Sequence, residues 1–151
     1  MTHIRVQQAP LDISAELARL ETLGSGAIAS FTGLVRGDGG LAELILEHYP
    51  GMTEMALQQL GEAARSRWAL DAVTIVHRVG VMMPGERIVF VGTASPHRAA
   101  ALEACSFLID RLKTDAPFWK QERFADGRTF WVEPRESDDR AAARWHIDSG
   151  D

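Results

Sequence analysis

Two lysines, Lys113 and Lys120, stand seven residues apart in a chain that takes its other fourteen basic side chains from arginine. A guanidinium keeps its proton in practice, whereas an amine can lose one and act as base or nucleophile. Pro117, Phe118 and Trp119 lie between the two, and aromatic walls that exclude water lower an amine's pKa. A core-plugging Phe-Trp pair flanked by solvated lysines is the plainer account of the same residues. A second constellation is Ser95-Pro96-His97-Arg98. Ser95 reads as a helix cap and Pro96 as the first helical residue, so free backbone N–H groups there would face an anion. An imidazole and a guanidinium in that first turn oppose the helix dipole. A bound phosphate or carboxylate would explain them; an ordinary cap with surface side chains is the alternative. Arg36, at the lip of the Gly-rich stretch Gly37–Gly40, is either a ligand grip or a solvated strand end.

Other chemistry is set aside on sequence grounds. Glu47-His48-Tyr49-Pro50-Gly51 offers an acid, a base and a phenol, but reads more simply as a turn punctuated by Pro-Gly. Cys105, the sole cysteine, falls on the apolar stripe of a helix and reads as core. Neither a disulfide framework nor a Cys-based metal site follows from one cysteine. His3, His48, His77, His97 and His146 lack metal-ligand spacing, so no metal is expected. Nucleotide-loop, nucleophile-elbow and zinc-helix motifs are absent.

The elements that must position these groups follow from periodicity. Strands are predicted over His3–Gln7, Ala27–Arg36, Leu41–Tyr49, Ala72–Val79 and Arg87–Thr93, with Leu41–Tyr49 returning as hairpin partner of Ala27–Arg36. A helix capped by Asp12 or Ser14 runs to about Leu23, and a second is capped by Thr53, with Leu57, Leu60, Ala64 and Trp68 as its stripe. The third follows Ser95 and buries Leu102, Cys105, Ile109 and Leu112. Asp126-Gly127 joins Phe118–Phe124 to Arg128–Glu133 as a hairpin. This order favours an α+β fold with largely antiparallel pairing.

The 151 residues are 46% hydrophobic and 25% charged, with a formal charge of −5. These are the proportions of one globular domain, here residues 1–138, followed by a polar tail over 139–151. The acidic balance argues against nucleic acid, and neither a membrane span nor a signal peptide is read, so the expected location is the cytoplasm.

The stretches GAIASFTGLVR (Gly26–Arg36), LEHYPGM (Leu46–Met52), RWALDAVTIVHRVG (Arg67–Gly80), PGERIVFVGTASPHR (Pro84–Arg98), LKTDAPFWKQE (Leu112–Glu122) and WVEPRESD (Trp131–Asp138) occur in an informative order. Together they resemble the catalytic, large-subunit family of molybdopterin synthase, the molybdenum-cofactor biosynthesis protein E family. The resemblance implies an α/β hammerhead with a small antiparallel β subdomain, forming a homodimer. It implies a partner, a small ubiquitin-like sulfur carrier whose Gly-Gly tail ends in a thiocarboxylate, giving a heterotetramer. The implied enzyme is a sulfurtransferase that converts cyclic pyranopterin monophosphate (precursor Z) to the molybdopterin dithiolene. No cofactor beyond substrate and carrier is implied.

By the same resemblance Lys113 and Lys120 are the catalytic lysines. Arg36, His97 and Arg98 hold the substrate phosphate or the carrier carboxylate, with Arg135 a further candidate. These anion-binding groups are expected to converge, and Phe118-Trp119 to wall a channel for the Gly-Gly tail. The chain departs from the family at Leu34 and Gln121, where basic residues are common, and in its short Gly37–Gly40 loop. Two other readings use the same residues: a phosphate-binding module at Ser95–Arg98, and a structural dimer partner.

Overall fold

The computed structural model describes residues 1–132 together with Arg140, Ala143 and Trp145. In chain order its elements are β1 (Thr2–Gln7), α1 (Ile13–Glu21), β2 (Ala27–Leu34), β3 (Leu41–His48), α2 (Met52–Arg67), β4 (Ala72–Arg78), β5 (Gly80–Met82), β6 (Arg87–Ser95), α3 (Arg98–Asp115), β7 (Phe118–Phe124) and β8 (Thr129–Trp131). One sheet has the order β1-β4-β6-β2 and the other β5-β3-β7-β8. Pairing is antiparallel except between β1 and β4. The expected α+β class with a small antiparallel subdomain is therefore what the chain adopts. The expected domain boundary at residue 138 lies outside the described residues.

Burial explains the first sheet. Side chains alternate across a strand, and in β4 both faces are covered. Val73 and Ile75 point to α2 and α3, joining Leu57, Phe107 and Leu108. Ala72 and Val76 point to α1, joining Leu20 and Phe90. A strand buried on both faces reads as a continuous apolar run, which AVTIV is. A third cluster, built on Val35, Leu44, Leu46, Val79 and Met82, fills the junction between the sheets.

Several sequence expectations are corrected. Leu41–His48 is not the hairpin partner of β2. A single 3-10 turn at Asp38–Gly40 follows Arg36. Gly39 and Gly40 there take φ of 66° and 82°. They steer the chain out of the first sheet, so β2 keeps β6 and β3 pairs with β5 and β7. Ser95 does not cap α3. It stays in the ladder opposite Ala27, and its hydroxyl donates to the Ala69 carbonyl at 2.8 Å. The helix starts at Arg98, with His97 as its N-cap. Likewise α2 starts at Met52 with Gly51 as N-cap, at a φ of 87° that favours glycine, and Thr53 lies inside the first turn. Leu102 points to solvent at 62% exposure; Ala101, Ala104 and Leu108 take the buried face instead.

No helix among the described residues is long and apolar enough to cross a membrane.

Candidate active site

Helix α3 turns back along β6 as it leaves the sheet. Thr93 Oγ1 donates to the Ala101 carbonyl at 2.7 Å, and the Cys105 thiol contacts the Val91 carbonyl at 4.0 Å. The helix thus runs antiparallel to the strand for eighteen residues, about 27 Å at 1.5 Å per residue. Lys113, exposed in the last turn, is carried to the sheet end where β2 finishes and Arg36 emerges. Arg36 is held there by its neighbours. The Val35 N–H donates to the Glu86 carbonyl at 2.9 Å, and the Gly85 N–H donates to the Val35 carbonyl at 2.8 Å. The Glu86 carboxylate accepts the Met83 N–H and also pairs with Arg78, and both hold its carboxyl below the usual range. The guanidinium of Arg36 pairs with Asp38 at 3.1 Å, with both side chains largely exposed.

Lys120 arrives at the same end from the second sheet. In the β3–β7 ladder Lys120 stands opposite Leu46, Trp119 opposite Glu47, and Phe118 opposite His48. Phe118 and Lys120 therefore share one face and Trp119 takes the other. Phe118 stacks on the His77 imidazole, with centroids 4.0 Å apart and planes at 25°. Trp119 meets the Tyr49 ring edge-on at 4.0 Å. The expected aromatic wall built by both rings together does not form, because neighbouring strand residues cannot face the same way. His48 Nε2 lies 3.7 Å from Glu54 Oε2.

His77 is the buried titratable group of this junction. Its Nδ1 is 2.9 Å from the Arg78 carbonyl. A carbonyl only accepts, so Nδ1 carries the proton and the ring is the neutral tautomer. Burial lowers its pKa to about 4, with the donated bond opposing and the positive charges of Lys120 and His48 adding to the shift.

Thr53 is the second group that sequence reading missed in this role. It is fully buried, and its hydroxyl donates to the Pro117 carbonyl at 3.0 Å while accepting the Tyr49 N–H at 3.0 Å. Its only sequence signal was a threonine at a helix start, which points to capping. Cys105 is core as expected, its thiol pushed up to about 11 by burial.

His97 and Arg98 sit elsewhere. Both are exposed at the start of α3, beside the Ser95 end of β6. The β2–β6 ladder runs from Ala27 opposite Ser95 to Leu34 opposite Arg87. That length separates His97 and Arg98 from Arg36 by about 25 Å at roughly 3.4 Å per residue. One chain therefore does not bring the three together, contrary to expectation. Gly26 fixes the His97 end, since a Cβ there would lie 2.5 Å from the Pro96 carbonyl oxygen. Arg135 lies outside the described residues. Among the described residues no cluster of three His, Cys, Asp or Glu side chains could hold a metal ion.

With this geometry in place, the chain can be set beside known proteins. The family described as MoaE protein matches residues 6–115. A molybdopterin synthase catalytic subunit from Pseudomonas aeruginosa is 52% identical over 94% of this chain and 97% of its own. Its namesake from Escherichia coli is 50% identical over 95% and 98%. Among solved structures, the molybdopterin biosynthesis MoaE protein from Burkholderia ambifaria superposes with a TM-score of 0.84 at 47% identity. That superposition covers 97% of this chain and 99% of that one.

The buried imidazole gives the fold a pH dependence. His77 has a folded-state pKa near 4 against 6.5 for the free side chain, so the unfolded chain binds the extra proton first. The contribution of the neutral ring is complete above pH 6.5 and is lost as pH falls towards 4. Between pH 7 and pH 5 the loss should be about 2 kcal/mol. His77→Phe keeps a ring against Phe118 and removes the titration. Urea unfolding at the two pH values should show the wild-type loss and a flatter profile for the variant. Equal losses would mean that His77 does not titrate in this window.

Proposed function

The chain belongs to the MoaE protein family, and from that membership we propose that it is the catalytic subunit of a molybdopterin synthase. It transfers sulfur from the thiocarboxylated C-terminus of a small ubiquitin-like carrier to cyclic pyranopterin monophosphate, forming the molybdopterin dithiolene. The observation that carries this reading is the assembly of both lysines and Arg36 at one end of the first sheet, where the second sheet abuts it. A thiocarboxylate and a phosphate are both anions, and an extended glycine tail lets backbone pass close to side-chain walls. Clustered cations at a sheet end suit such reactants. In this reading Lys113 promotes the transfer, by moving a proton or by stabilising the acyl intermediate, and Lys120 supports it. The pterin is substrate, the carrier supplies the sulfur, and no resident cofactor enters the scheme. The reaction is placed in the cytoplasm.

The distance between Arg36 and the His97–Arg98 pair favours a homodimer, and with two carriers a heterotetramer. In a two-fold pair, one copy's α3 start can meet the other copy's Lys113 end, so that the anion-binding groups converge across the interface. Arg135 is proposed for the same pocket. The exposed Phe31 and Leu34 on β2, an edge of the first sheet, are consistent with a second chain there.

The direct test is molybdopterin formation from the purified chain, precursor Z and thiocarboxylated carrier. Product is expected only with all three present. Lys113→Arg keeps the charge and removes the amine chemistry, so it should abolish product while still binding carrier in calorimetry. Wild-type turnover by that variant would refute the assignment. A carrier lacking its Gly-Gly should dock weakly and support no transfer; equal activity would exclude tail insertion.

The shared site has its own test. Arg36→Ala and Arg98→Ala should each be inactive as homodimers. Random mixed dimers contain one intact site in half of the pairs, so about a quarter of wild-type activity should return. No recovery on mixing would show that a site is not divided between copies.

A further inference from the structure

We propose that Thr53 is a positioning residue for sulfur transfer, its buried hydroxyl fixing the Pro117 carbonyl and so the corner that presents Lys113 and Lys120. The inference rests on the functional reading above and goes beyond it by assigning a residue on α2, an element that reading does not use.

The corner between α3 and β7 spans Ala116 and Pro117. Pro117 has no N–H, so its carbonyl is the one backbone hydrogen-bonding group it offers. Thr53, at 0% exposure, supplies the donor at 3.0 Å. A hydroxyl has one donor and two acceptor sites, and an acceptor site takes the Tyr49 N–H at 3.0 Å. The Thr53 N–H in turn donates to the Tyr49 carbonyl at 2.9 Å. Tyr49 carries the ring that meets Trp119 edge-on. The start of α2 and the turn before it thus hold the corner twice, Thr53 through the Pro117 carbonyl and Tyr49 through the Trp119 ring. That turn is itself fixed, because Glu54 accepts the Gly51 N–H at 2.9 Å.

Lys113 lies four residues before Pro117 and Lys120 three residues after it. Reacting groups must be held close to their productive geometry, and small displacements cost rate steeply. A rotation of the corner would move the helix end and the strand start relative to one another. Each lysine sits on a regular element, so the corner sets the distance between them.

Thr53→Val keeps the side-chain shape and removes the hydroxyl; Thr53→Ser keeps the hydroxyl and removes the methyl. Thr53→Ala is a second hydroxyl-free variant should valine not fold. The expected result is a loss of about tenfold in kcat for either hydroxyl-free variant. KM for precursor Z and carrier affinity should stay within about twofold, and Thr53→Ser should recover most of the rate. Leu17→Ala, which loosens the α1 packing on the opposite face of the sheet, is the stability control and should leave kcat per folded molecule unchanged. Amide exchange of Phe118 to Gln121 should quicken in Thr53→Val and not in Thr53→Ser. Unchanged kcat and exchange in the hydroxyl-free variants would overturn the proposal, as would a serine variant as slow as valine. If wild type itself forms no molybdopterin while the exchange difference persists, the functional reading fails and the corner's anchoring stands.

Discussion

The site depends on how the second sheet is fastened to the first, and the central contact is the stacking of His77 on Phe118. His77 is the penultimate residue of β4 in the first sheet and Phe118 opens β7 in the second. Phe118 also packs against both the large core beneath α2 and α3 and the junction cluster around Val35 and Met82. A neutral imidazole is a flat ring that can be buried when one nitrogen is satisfied, and the Arg78 carbonyl satisfies it. The arrangement puts a buried ring, without a formal charge, beside Lys120. A protonated ring would add a second cation to that corner.

The two sheets divide the work of placing cations. The first sheet and α3 deliver Lys113 and Arg36 by length alone. A helix of eighteen residues returns over a nine-residue strand and ends at the sheet's far edge. The second sheet delivers Lys120 by register, since Lys120 stands opposite Leu46 and shares the face of Phe118. A one-residue slip in β7 would send Phe118 to solvent and Trp119 inward. The hydrogen bond from Thr53 and the stacking on His77 both oppose that slip. Rigidity at this corner is therefore built from the core outwards, and the lysines themselves need not be buried.

Much of this was legible in the sequence. The KTDAPFWK and LEHYPGM stretches marked the two segments that meet at the junction, and the odd lysine usage singled out Lys113 and Lys120. The continuous apolar run of β4 and the Asp126-Gly127 hairpin were equally plain. What failed were decisions made by tertiary partners. Gly37–Gly40 looks like a hairpin turn locally, yet β2 finds a longer partner in β6 and β3 finds two in the other sheet. Ser95 and Thr53 both look like caps, but each hydroxyl is engaged by a distant carbonyl, Ala69 or Pro117. Local preference for a cap amounts to about 1 kcal/mol. Leaving a buried carbonyl unpaired costs about 1–3 kcal/mol, so the tertiary bond wins.

At His97 and Arg98, too, local preference and tertiary position are in conflict. Arg98 places a guanidinium in the first turn of α3, where the helix dipole disfavours a cation, and the His97 imidazole stands beside it at the N-cap. Within the described chain no contact offsets that cost: His97 makes no capping bond through its side chain. Yet the backbone beneath is built tightly, with Gly26 admitting the Pro96 carbonyl where any side chain would collide. A rigid scaffold presenting an outward imidazole and guanidinium at an electropositive helix start is poor design for a surface. It suits the anion that the proposed function brings there. If both groups of cations act on one anion, as proposed, a second molecule must supply one of them, because Lys113 and Arg36 stand at the other end of the same sheet. The proposed two-fold pair would satisfy this without altering either end, since what lies apart along one chain can lie together across two.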